Sequence, residues 1–134
     1  MNFFLFGFLS CLSFICLSAF QQKPKFDLQG SIARGKEVYT AYCISCHMDG
    51  GEGIEDVYPP VAKSDYFMAD KKRAVQQILK GAKGEMKVNG KVYNSEMSGF
   101  DLSDKEVSDL LNYMRNSFGN KGAAITPEEV KSSR

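Results

Sequence analysis

The chain has 134 residues, 43% of them hydrophobic, and 17 basic against 16 acidic residues leave a formal net charge of +1. That length serves one domain with one core, and a balance so close to zero argues against nucleic acid or an anionic surface as a partner. No internal repeat and no low-complexity block is visible.

Residues 3–19 are almost wholly apolar, broken only by serines. Such a run resembles a secretory signal peptide, and Ser18 and Ala19 supply small residues for cleavage. As a helix it would span about 26 Å at 1.5 Å per residue, short of a hydrocarbon core of roughly 30 Å. Three fates stay open: removal after export, retention as a membrane tether, and lipid attachment at Cys11 or Cys16. Each implies a periplasmic or otherwise extracytoplasmic location. Residues 20–30, with Gln21, Gln22, Lys23 and Pro24, read as a polar linker.

Ser31 offers an N-cap, and Ile32, Gly35, Val38, Tyr39 and Tyr42 recur at three and four residues, which predicts a helix over about 32–43. It delivers Cys43-Ile44-Ser45-Cys46-His47 at its end. Two cysteines two residues apart and followed at once by histidine form the attachment signal for a c-type haem. Each thiol joins one vinyl edge of a single porphyrin, and the histidine supplies an axial nitrogen to its iron. A zinc site needs four ligands. Beyond this motif the chain has only Cys11 and Cys16 in the apolar run and no second histidine. A redox dithiol would accompany a βαβ pattern, and none follows.

Gly50, Gly51 and Gly53 stand among Asp49, Glu52, Glu55 and Asp56, a flexible acidic loop whose order does not fit a calcium loop. Tyr58-Pro59-Pro60-Val61 ends it. A ligating histidine gives its other N–H to a carbonyl or carboxylate, and the Pro59 or Pro60 carbonyl is the candidate. Asp70 caps a predicted helix over Lys71–Lys80 that turns Ala74, Val75, Ile78 and Leu79 inward and stops at Gly81. Asn89-Gly90 centres a hairpin over Met86–Tyr93. Ser103 and Glu106 form a capping box for a helix to about Ser117, with Val107, Leu110, Leu111, Tyr113 and Met114 on its apolar face. Thr126-Pro127-Glu128-Glu129 starts a short terminal helix in the tail. Eight basic residues against three acidic ones between Lys63 and Lys91 suggest a basic surface.

The order Gly35-x-x-x-Tyr39-x-x-x-Cys43-x-x-Cys46-His47, then Pro59-Pro60, then Val88-Asn89-Gly90-x-x-Tyr93-x-x-x-Met97, then Leu110-Leu111-x-Tyr113 resembles the small monohaem class I cytochromes c. The likeness is to bacterial periplasmic forms and to cytochrome domains of dehydrogenases and nitrite reductases. It implies an all-α cytochrome c fold over 31–120, with about four or five helices around one covalent haem c and a small β-hairpin, and a tail over 121–134. The first and last helices would cross, so that Gly35 and Tyr39 meet Leu110 and Tyr113. Pro60 and Tyr93 would line the pocket. Met97, in the aperiodic segment before Ser103 with Gly99 nearby for backbone freedom, matches the ligand loop; Met68 and Met86 are the alternatives. The family often has proline after its ligand methionine, whereas Ser98 here implies a looser loop. The implied function is a one-electron carrier rather than an enzyme, serving redox proteins such as a dehydrogenase, a reductase or a terminal oxidase. The alternatives are a haem relay subunit of such a complex, or a haem enzyme or sensor with an open sixth position.

Overall fold

A computed structural model describes residues 25–134. The apolar run with Cys11 and Cys16, and the start of the linker, lie outside the described residues. Six helices and a two-stranded antiparallel sheet follow in order: α1 Leu28–Tyr42, α2 Ile44–His47, α3 Asp65–Ala69, α4 Lys71–Lys80, β1 Met86–Val88, β2 Lys91–Tyr93, α5 Asp104–Asn116 and α6 Pro127–Lys131. None of the described helices is long and apolar enough to cross a membrane.

The first helix begins earlier than its periodicity suggests, because Asp27 rather than Ser31 caps it by accepting from the Gly30 amide. Ser31 is fully buried inside α1, where its hydroxyl donates to Asp109 at 2.6 Å. The α4 cap and stop fall where expected, with Asp70 accepting from the Arg73 amide and Gly81 leaving at a φ of 85°. The hairpin pairs Met86 with Tyr93 and Val88 with Lys91 around Asn89 and Gly90, both at positive φ. The Ser103–Glu106 capping box opens α5.

The α1–α5 crossing organises the core. A Cβ on Gly35 would lie 1.9 Å from the Asp109 carbonyl oxygen and 2.8 Å from the Tyr113 Cβ, so the backbones meet where only glycine fits. One turn on, the Tyr39 ring sits 5.4 Å from Tyr113 and 5.3 Å from Phe118. Val75, Val107, Leu110 and Leu111 close around them.

Residues 121–134 are part of this core rather than an appendage. Ile125 and Val130 are 1% and 0% exposed. Buried Asn112 ties them in: its amide donates to the Ile125 carbonyl at 2.8 Å and to Ser31 at 2.9 Å, and its oxygen accepts from the Ile125 amide. One side chain thus pairs both backbone groups of Ile125, and the buried Ser108 hydroxyl gives the carbonyl a second donor at 2.7 Å.

Candidate functional site

The end of α1 and the single turn of α2 set out Cys43, Cys46 and His47, all half-buried, with both thiols free. Burial, with Cys46 nearby, pushes the Cys43 thiol up to about 12. It is therefore a neutral thiol, unlike the depressed thiolate of a redox dithiol. His47 Nδ1 lies 2.9 Å from the Pro59 carbonyl. A carbonyl can only accept, so Nδ1 carries the proton and Pro59, not Pro60, is the partner. Burial lowers the His47 pKa and the Pro59 bond opposes it, with burial the larger effect. The result is a neutral imidazole whose Nε2 keeps its lone pair, the form that ligates a metal.

The glycine-rich stretch that delivers Pro59 is tightly held, not flexible. The Tyr39 hydroxyl donates to the Met48 carbonyl at 2.7 Å, and the Gly53 amide donates to the His47 carbonyl at 3.0 Å. Gly53 has a φ of 69°, and a Cβ there would stand 2.3 Å from the Tyr58 oxygen and 2.7 Å from the Pro59 oxygen. Gly53 and the Tyr39 hydroxyl are thus positioning groups that the sequence reading missed; the glycine spacing was a signal for the first.

One cavity of about 410 Å³ is lined by Cys43, Cys46, His47, Pro59, Pro60 and Met97. Of the alternative methionines, Met86 also lines it and Met68 does not. Tyr93 is buried but stands outside the lining. The inner strand β1 borders the cavity through Met86 and Val88, and Tyr93 lies on the outer strand β2.

The Met97 segment is pinned to the end of α4. Ala82 and Met97 exchange both backbone hydrogen bonds, at 2.9 and 2.8 Å, and the Phe100 amide donates to Ile78. A Cβ on Gly99 would lie 2.5 Å from the Leu79 carbonyl oxygen. Gly99 does not have a positive φ, so close approach rather than backbone freedom requires it. Ser98 in place of proline does not loosen a loop held by this bridge.

The donor set fits a tethered haem: two thiols, a neutral imidazole and a thioether around one largely apolar cavity of ligand size. No group of three or more His, Cys, Asp or Glu among the described residues is placed to hold a bare metal ion.

Known proteins point the same way. The family model for cytochrome c matches residues 32–118. The chain is 34% identical over 112 residues to cytochrome c-552 of Thermus thermophilus, covering 76% of this chain and 85% of that protein. It is 32% identical over 103 residues to the cytochrome c subunit of a quinone alcohol dehydrogenase from Gluconobacter oxydans, covering 75% of this chain and 22% of that subunit. The cytochrome subunit of a fructose dehydrogenase from Gluconobacter japonicus is 25% identical over 105 residues, with the chain again spanning 22% of it.

Proposed function

The chain belongs to the cytochrome c family, whose members carry electrons on covalent haem c, and on that premise we propose that it is a monohaem one-electron carrier with iron held between His47 and Met97. The observation that carries this is the single cavity shared by Cys43, Cys46, His47 and Met97. Bound haem would supply a one-electron couple at iron, and with His47 and Met97 both ligating it, no bond chemistry would be open to a substrate. Cys43 and Cys46 tether the group. Pro59 fixes the tautomer and orientation of His47. The Ala82–Met97 bridge holds the thioether at the cavity. Apolar walls from Val61, Ile78, Leu110 and Met114 keep water away, which favours the less charged reduced state.

Redox proteins are the partners under this reading, and the likeness to dehydrogenase cytochrome subunits favours a dehydrogenase as donor. The apolar run over 3–19 supports an extracytoplasmic site of action, with the run cleaved or kept as a tether.

Met97→Ala tests the ligand set. It should abolish the sulfur-to-iron charge-transfer band, open the iron to carbon monoxide and lower the reduction potential. A Met97→Ala protein that keeps band and potential, while Met86→Ala loses both, would move the ligand to the hairpin. Carbon monoxide binding by the unaltered reduced protein would favour the sensor or enzyme reading.

A further inference from the structure

We propose that the Tyr66 hydroxyl and the Gln77 carboxamide form the seat of one haem propionate carboxylate, with the Arg73 guanidinium stacked behind them; this rests on the haem reading above. Tyr66 lies on α3 and Gln77 on α4, and both line the cavity. Gln77 Nε2 donates to Tyr66 Oη at 3.1 Å. That leaves the Tyr66 O–H proton and the second Gln77 amide proton with no acceptor among the described residues. An ionised carboxylate only accepts, and two convergent donors suit it.

Charge favours the same spot. Arg73 Cζ sits 3.9 Å from the centre of the Tyr66 ring, and Arg73 Nη2 donates to the Tyr66 carbonyl. The cation attracts the ring electrons and strengthens the hydroxyl as a donor. Of the other hydroxyls on the wall, Ser95 donates to the Val57 carbonyl at 2.6 Å and Ser64 caps α3, while those of Tyr42, Tyr58 and Ser98 are not joined to a second side-chain donor. An ionised carboxylate placed elsewhere on the wall would meet at most single hydroxyls or apolar side chains, at a larger desolvation cost than between two convergent donors.

Other titratable groups surround the seat. His47, Tyr58 and Glu96 share the cavity wall. Asp65 flanks Tyr66, but its carboxylate accepts from the Tyr66 and Asn89 amides. Lys80, one turn along α4, donates to Gln76. On the α5 side Arg115 donates to the Phe67 and Met68 carbonyls.

Two donors and a nearby cation hold such a propionate ionised to lower pH. An ionised propionate stabilises the more positive oxidised centre, so the reduction potential steps down as pH rises through the propionate pKa. Reduction potential against pH, measured on the holoprotein, tests the seat. Tyr66→Phe and Gln77→Leu should each move that step up by about one pH unit, and Gln77→Glu, which adds a like charge, further still. The propionate bending band in resonance Raman spectra should shift in the same variants. Gln76→Leu, whose side chain instead donates to the Ser133 carbonyl, should leave the step in place, as should Glu96→Gln.

An unchanged step and band in both Tyr66→Phe and Gln77→Leu, with covalent haem and the charge-transfer band intact, would overturn the seat alone. So would a step that vanishes in Glu96→Gln. Absence of covalent haem from the unaltered protein would overturn this proposal together with the haem assignment.

Discussion

Asp109 is only 3% exposed yet carries a full carboxylate, which accepts from the Ser31 hydroxyl at 2.6 Å, from Arg34 at 2.7 and 2.9 Å, and from Lys105 at 2.7 Å. Burial pushes its pKa up, but the bonds from Arg34, Lys105 and Ser31 outweigh burial and hold it below the usual range. A carboxylate depressed in the folded state contributes stability in full above its unfolded pKa of about 3.9. That stability is lost as pH falls through the folded value. Asp109→Asn should therefore cost about 2 kcal/mol near neutral pH and flatten the fall in melting temperature below about pH 4. Thermal melts of both holoproteins across that range check it; parallel curves would mean the cluster adds no pH-dependent stability. Nothing local announces this residue, because its partners Ser31 and Arg34 stand 78 and 75 positions away. An aspartate four residues after a lysine on a helix reads as half of a solvated surface pair. Cys43, Cys46 and His47 were legible for the opposite reason: five consecutive positions carry their chemistry. Met97 was singled out by elimination and by the resemblance, and it does line the cavity, but the backbone bridge that pins it there has no sequence signal.

Elements with strong caps and periods match their sequence signals. The bounds of α4 follow from Asp70 and Gly81, and those of α5 from the Ser103–Glu106 box. The five-residue α3 has too little period to be read from sequence and is held from outside. Arg73 and Arg115 donate to its successive carbonyls, those of Tyr66, Phe67 and Met68, at the end where the helix dipole favours cations. Arg115 serves this role with its Nε buried and without a partner. The α1–α5 crossing is where local and tertiary preferences conflict. By helix propensity alone, Gly35→Ala should stabilise α1 by up to about 1 kcal/mol. The crossing predicts the reverse, because the new methyl would stand 1.9 Å from a backbone oxygen of α5 and force the helices apart. The expected net effect is a loss of about 1–3 kcal/mol, read by denaturant unfolding of the holoprotein. A stabilised Gly35→Ala protein would place the real contact elsewhere on α1.

At the scale of the whole molecule, the near-neutral total conceals a separation of charge, and folding reduces the basic side of it. Of the eight basic residues between Lys63 and Lys91, Arg73 is committed to α3, and Lys71 reaches Glu129 at 3.4 Å. Lys91 pairs with Glu55 at 2.6 Å and Asp56 at 2.9 Å, which raises its pKa well above the usual lysine value. Lys63, Lys72, Lys80, Lys83 and Lys87 remain exposed and make no salt bridge among the described residues. Five such cations on a carrier with an acidic redox partner would speed encounter rather than tighten the final complex. Electron transfer to that partner should then slow by roughly tenfold as salt rises from low to physiological ionic strength, the low end of electrostatic steering. Lys83→Glu combined with Lys87→Glu should lower the low-salt rate and flatten the salt profile. It should leave the potential and the melting temperature unchanged, since neither side chain touches the cavity or the core. A flat profile in the unaltered protein would instead shift docking to the exposed apolar side chains, Tyr42, Val57 and Val92, which are 43–50% exposed and whose burial is indifferent to salt.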